Sequence, residues 1–297
     1  MECSDRTGEA EVFKVGGKST ATRCFSKYPL KFIIPSKVCS HEIDALWIYM
    51  ITYGGGIVSG DSIRCKFMID DGCTVILTTQ TSTKVFKSIG SKCSEQLLEA
   101  SVCKHGLLAL LPDPVTCYAT ARYRQKQVFR VHSDSSLVIV DWVTSGRHES
   151  GEVWDFELYK TTNQIYFDDD RPLFLDSTML ENGGSTTIAK HMRGYLLHMK
   201  CRLFRSSLAN IQRQVQENVK NMMSRELHKP IILSGQSKPS CTHCVPKPTL
   251  LASCSMFGPK GDGTVVRVAA SATETVYRFL NLQLAGLEGL IGAPLLH

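Results

Sequence analysis

The sequence has no long apolar run. Stretches such as Leu107 to Leu111 are far too short to cross a bilayer, so a membrane-spanning helix is not expected. The opening residues, Met1 to Arg6, carry mixed charge and no apolar core, so no secretory signal is expected and the protein is placed in the cytoplasm. Aromatic residues make up only 8%, and basic residues are not interleaved with them in any stripe, which leaves nucleic-acid binding without support. Neither a Gly-x-Ser-x-Gly elbow nor a His-Glu-x-x-His pair occurs. Gly16-Gly17-Lys18-Ser19-Thr20 looks like the end of a phosphate-binding loop, but Val12 stands where that motif needs its first glycine. Gly54-Gly55-Gly56 fails the dinucleotide spacing and opens no helix.

What is present describes an ordinary globular chain. Its 297 residues, 43% apolar and 21% charged, suffice to bury a core without disulfides or a structural metal. Most of the 12 cysteines sit singly in apolar or strand-like segments, as Cys65 does, and read as reduced thiols. The net charge of +6 is unevenly placed. Asp141 to Glu181 holds ten acids against three bases, whereas Lys200 to Lys229 holds seven bases against two acids. Such asymmetry suits steering of a charged partner, pairing of the two regions with each other, or two solvated faces.

Up to about residue 180 the chain runs in short β-branched segments between turn residues. Ile63, Cys65, Phe67 and Ile69 alternate with more polar neighbours, Asp70-Asp71-Gly72 follows, and Cys73 to Thr79 resumes, a hairpin signal. Leu137 to Val140 reads as a strand buried on both faces, and Trp154, Phe156 and Leu158 share one face of the next strand. Strands without long intervening helices favour a mainly antiparallel or a coiled β architecture. The period then changes. Leu208, Ile211, Val215, Val219, Met222 and Leu227 are spaced for an amphipathic helix over Ser206 to His228, stopped by Pro230. Ile188 to Phe204 suggests a preceding helix, which Gly194 weakens, and Ser234 to Cys254 a loop. A last strand at Val265 to Val268 and a helix over Thr273 to Leu284 lead into a Leu/Gly-rich end. The whole is expected to be a single domain: β-rich over 12–180, helical over 188–229, a variable loop over 234–254, and a closing strand, helix and tail over 264–297.

The one tight group of soft ligands is Cys241, His243 and Cys244, with His228 or Cys254 to complete a set. A structural zinc site usually presents two separated ligand pairs, and only one stands here. A cytosolic metalloprotein or enzyme built on this cluster is the alternative to the reading that follows.

A more specific pattern begins at Tyr53-Gly54-Gly55-Gly56-Ile57-Val58-Ser59-Gly60-Asp61 and resumes at Leu77-Thr78-Thr79-Gln80-Thr81-Ser82-Thr83-Lys84-Val85. Leu111-Pro112-Asp113-Pro114, Ala121-Arg122-Tyr123-Arg124-Gln125, Asp141-Trp142-Val143-Thr144-Ser145-Gly146-Arg147 and Gly151-Glu152 continue it in order. Together these segments resemble the urease accessory protein D family. Arg23 to Leu30 is similar to its plant form in particular. The resemblance covers about residues 12 to 280 and implies a mainly β fold, with coiled, β-helix-like winding of strands and a few late α-helices.

It also implies a non-enzymatic maturation factor. Members of the family bind apo-urease and recruit accessory proteins F and G, of which G is a GTPase, for nickel insertion. No tightly bound cofactor is expected, only transient nickel. Within the matching segments, Asp61, Thr79, Thr83, Asp141 and Glu152 are candidates for a polar nickel passage. Gly54, Gly55, Gly56, Gly60, Gln80, Lys84 and Arg147 are expected to be structural. Two alternatives stay open: Asp61 can cap a turn, and Glu152 can pair with Arg147. The apolar end, with Leu280, Leu282, Leu284, Leu287 and Leu290, is the expected partner surface.

Overall fold

The computed structural model describes residues 6–36, 43–183, 187–204, 208–227 and 248–293. Its β-branched runs form strands that share two sheets. The first has, in spatial order, Pro172–Glu181, Leu158–Phe167, Arg122–Val131, Ser94–Val102, Ser62–Ile69, Gly8–Val15 and Lys18–Ser26. The second runs Leu250–Phe257, Gly263–Ala270, Leu197–Phe204, Ser136–Thr144, Leu107–Leu111, Thr74–Thr78, Leu46–Thr52 and Leu30–Ile33, with three short strands beside it. Between Gly8 and Phe167 the chain passes back and forth between the sheets, so interior neighbours lie parallel. The result is a β-solenoid of about 4 turns with few helices late in the chain.

Of the two architectures the pattern allowed, the coiled one is built, and antiparallel pairs are confined to the sheet margins. The expected hairpin is therefore a corner. Ser62–Ile69 and Thr74–Thr78 belong to different sheets, and Gly72 at φ 66° turns the chain from one to the other. Successive corners stack: Cys103 N–H donates to Ile69 O and His132 N–H to Val102 O, both at 2.9 Å. A true hairpin stands earlier, where Gly16 and Gly17, both at positive φ, join Gly8–Val15 to Lys18–Ser26. The phosphate-loop lookalike is this turn.

The period-two faces sort the core into two clusters. Leu137, Ile139 and Val143 point between the sheets, and Val138, Val140 and Trp142 point out from the second sheet towards the helices. That strand is buried on both faces, as its sequence indicated. The helices are α1 (Ile188–His191), α2 (Ala209–Leu227), α3 (Thr273–Leu284) and α4 (Glu288–Ile291). Ile211, Val215 and Val219 of α2, with Val276, Phe279, Leu280 and Leu284 of α3, close the outer cluster. Each such side chain contributes about 1.5–3 kcal/mol relative to exposure.

Three expectations are corrected. Ile188 to Phe204 is not one helix: after the single turn of α1 the chain becomes the strand Leu197–Phe204. Leu197, Met199, Cys201 and Leu203 alternate into the outer cluster, a period of two. The loop expected to end at Cys254 gives way to the strand Leu250–Phe257, paired with Gly263–Ala270. Trp154 and Phe156, expected on one face of a strand with Leu158, are buried, but pairing starts only at Leu158. Pro230, residues 234–247 and the Cys241, His243 and Cys244 cluster lie outside the described residues.

Candidate functional site

Inside the coil, the inward positions change character along each strand. Near the stacked corners they are apolar: Ile69, Val102, Phe129, Val131, Ile165 and Phe167. Farther along the same faces stand Gln96, Gln125, Gln127, Thr161 and Asn163, and the second sheet answers with Asp141, His198, Lys200 and Arg202. Alternation alone sends these polar side chains inward, and they meet there as a seam between the sheets.

Asp141 is its centre. The residue is 5% exposed, and its Oδ2 accepts from Asn163 Nδ2 at 2.7 Å and from the Thr161 hydroxyl at 2.9 Å. Its Oδ1 accepts from Gln125 Nε2 at 3.3 Å. Among the described residues Asp141 forms no ion pair, so a buried carboxylate is held by neutral donors.

Behind it, Lys200 Nζ and Arg202 Nη2 each reach Asp176 Oδ2 at 2.7 Å. Burial pushes the Asp176 carboxyl up, and the two cations more than offset this, holding it below its ordinary value. The acidic and basic regions of the sequence thus meet here. His198 is driven down to about 4 by burial and by Lys200, so at neutral pH it is an uncharged imidazole. Among the described residues Arg202 Nε and Nη1, Gln127 Oε1 and Asn163 Oδ1 have no hydrogen-bond partner.

The seam lies next to a surface cleft. A cleft of about 1210 Å³ has Thr79, Gln80, Asp113, Thr144 and Tyr277 in its wall. Thr79 and Asp113 also line a narrow gap of about 40 Å³, together with Thr83, Gln96, Gln125 and Asp141. Asp141 in turn lines a recess of about 10 Å³ with Tyr159, Thr161, His198 and Lys200. Thr79 and Asp113 are shared by cleft and gap, and Asp141 and Trp142 by gap and recess, so the three spaces lie next to one another.

Of the five passage candidates, Thr79, Thr83 and Asp141 are brought together. Asp61 and Glu152 are not. Asp61 accepts the Val58 N–H at 2.9 Å and closes its own turn. Glu152 is gripped by Arg147, with Nε to Oε2 at 3.1 Å, and accepts the Ala119 N–H at 3.2 Å. The Arg147 bond holds the Glu152 carboxyl below its usual range. The Arg147 guanidinium also lies 4.2 Å from the Tyr118 ring centroid.

The expected structural residues have local reasons. Gly54 and Gly55 take φ 71° and 73°, and Gly60 takes 86°. A Cβ at Gly56 would stand 2.5 Å from Lys84 O, because Gly56 pairs with Lys84 in parallel. Gln80 is exposed on the rim of the cleft. At the other end of the chain, Leu280, Leu284 and Leu287 are core residues at 1%, 1% and 0% exposure, which corrects their expected place at a partner surface. Leu282 and Leu290 remain outside, at 63% and 36%.

Sequence reasoning passed over Asp113, Gln125, Asn163, Asp176, His198, Lys200 and Arg202. Parity with known core positions marks them: Asp141 is two residues from both Ile139 and Val143, and Gln125 two from Tyr123.

Comparison with known proteins gives the same direction throughout. The family described as "UreD urease accessory protein" matches residues 6–295. Urease accessory protein D of Arabidopsis thaliana is 58% identical over 96% of this chain and 98% of its own. Urease accessory protein D of Oryza sativa subsp. indica is 51% identical over 97% and 94%. Urease accessory protein UreD of the bacterium Sorangium cellulosum is 32% identical over 96% and 81%. With a match over nearly the whole chain and a solenoid of the expected kind, the chain belongs to the urease accessory protein D family.

Proposed function

We propose that the protein is a cytoplasmic, non-catalytic maturation factor that binds apo-urease, recruits accessory proteins F and G, and takes part in GTP-dependent nickel insertion. The observation that carries this reading is Asp141, a buried carboxylate with neutral donors only, set in a polar seam that lies beside the surface cleft.

The chemistry fits a cargo in transit. Nickel(II) accepts carboxylate, imidazole and water. A site that held it deeply would release it slowly, whereas separated weak oxygen sites let it move on. Thr79, Thr83 and Asp141 offer spaced oxygens, and neutral His198 offers a nitrogen at the inner end. Lys200 and Arg202 place positive charge beyond Asp141. On the surface, the outward Leu282 and Leu290 of the C-terminal helices supply the contact for the F-type partner.

Cells lacking their own accessory protein D, but carrying urease and the other accessory proteins, test the reading. This chain should restore urease activity and co-purify with apo-urease and protein F. Neither activity nor co-purification would overturn it.

A further inference from the structure

The wall of the surface cleft is unusual for this chain. The protein carries 34 Lys and Arg residues and a net charge of +6, yet no Lys or Arg lines the cleft among the described residues. Its charged groups are Asp113 and Glu149, and most of its other polar groups are hydroxyls. A concave surface with carboxylates, hydroxyls and low-dielectric walls concentrates cations.

Asp113 stands between this cleft and the seam, since it lines both spaces. Its position is firmly set. Prolines flank it on both sides, the Pro112 carbonyl accepts from Trp142 Nε1 at 2.8 Å, and the Asp113 N–H donates to the Thr79 hydroxyl oxygen at 2.8 Å. The carboxylate then gathers two hydroxyls: Tyr277 donates to Oδ1 at 2.6 Å and Thr79 to Oδ2 at 3.2 Å. Tyr277 comes from α3, and its ring rests edge-on against Trp142 at 4.8 Å.

We propose that the carboxylate of Asp113, with the hydroxyl oxygen of Thr79, is a divalent-cation site beside the seam, and that the Tyr277 hydroxyl is its cap. The site rests on the passage reading above and deepens it by naming where a cation first loses water to protein oxygens. In the capped state the Tyr277 proton occupies Oδ1, so a cation must turn that phenol from donor to bystander before it can use both carboxylate oxygens. Burial and the adjacent carboxylate push the Tyr277 hydroxyl up, so it keeps its proton at neutral pH and the cap is set by geometry. The two carboxylate oxygens and one hydroxyl make a shallow site suited to hand-over.

Titration of the full chain with Mn²⁺, read by loss of the free-ion electron paramagnetic resonance signal, tests the site. Manganese favours oxygen donors over the thiols of this chain. Asp113→Asn keeps an acceptor for Tyr277 but removes the charge, and should weaken binding about tenfold. Tyr277→Phe keeps the carboxylate and removes the competing proton, and should tighten binding several-fold. Unchanged Mn²⁺ affinity in Asp113→Asn overturns the site. Should that variant fail to fold, unchanged or weakened binding in Tyr277→Phe overturns it instead. Urease loading separates this inference from the one beneath it. Weakened Mn²⁺ binding with full nickel loading upholds the site and contradicts the passage, whereas unchanged binding with reduced loading removes the site alone.

Discussion

Asp141 and Asn163 face each other across the two sheets, with Asn163 Nδ2 donating to Asp141 Oδ2 at 2.7 Å. Asp141 lies in Ser136–Thr144 of the second sheet and Asn163 in Leu158–Phe167 of the first, so one hydrogen bond joins both walls of the coil. The polar seam is therefore part of the packing between the sheets as well as the proposed route, and its variants should affect stability and function in separable ways.

Asp176 shows the stability side. Asp176→Asn leaves Lys200 and Arg202, 7% and 1% exposed, without their shared anion. The expected loss is about 3–5 kcal/mol, read as a lower denaturant midpoint. Acid acts in the same direction. A carboxyl held below its ordinary value of 3.8 contributes fully above that pH, and the contribution is lost as pH falls through its lower folded value.

His198 gives a second, distinct pH window. Its folded value of about 4 lies below the ordinary 6.5, so between these the unfolded chain binds the proton and the folded chain does not. Stability is then full above pH 6.5 and declines as pH falls towards 4. His198→Gln should flatten the curve in that window, and an unchanged slope between the two values would show that other groups set it.

The legible and the hidden parts of this fold differ for physical reasons. Asp70-Asp71-Gly72 requires a tight turn with positive φ, and Gly72 supplies it. Whether the following strand pairs with its predecessor or crosses to another sheet depends on partners some thirty residues away, which local chemistry does not encode. Leu197 to Phe204 ends an apolar stretch that suggests a helix, and Lys200 and Arg202 are residue types that ordinarily face solvent. Only the carboxylate of Asp176, on a strand ending sixteen residues earlier, makes their burial tenable. Asp141 and Thr79 were named through family motifs, whereas Gln125 and Asn163 needed the strand parity that the structure supplies.

Glu152 provides a contrast with Asp141, being a carboxylate in a family segment that lies off the seam. Glu152→Gln weakens its pair with Arg147 and should cost about 1 kcal/mol of stability. Nickel loading of co-expressed urease should stay at the wild-type level in this variant, as measured by elemental analysis.

The C-terminal helices separate core from contact. Removing everything after Gly286 is a poor probe of partner binding, because Leu287 and Ile291 are fully buried and the Ile291 carbonyl accepts from Trp47 Nε1 at 3.1 Å. Leu282→Asp leaves that packing alone. It should lower co-purification of accessory protein F while the melting temperature changes little, and undiminished co-purification would remove Leu282 from the contact.

The central claim is that the seam carries nickel through Asp141. Asp141→Asn is nearly isosteric and changes one charge at 5% exposure, so it addresses the route with little change of shape. The decisive measurement is the nickel content of urease purified from cells co-expressing the accessory proteins with this variant, at matched levels of folded variant and of bound partner. A several-fold lower nickel content than with wild-type protein is the expected result. Full nickel content in urease matured with folded, partner-bound Asp141→Asn would contradict the route.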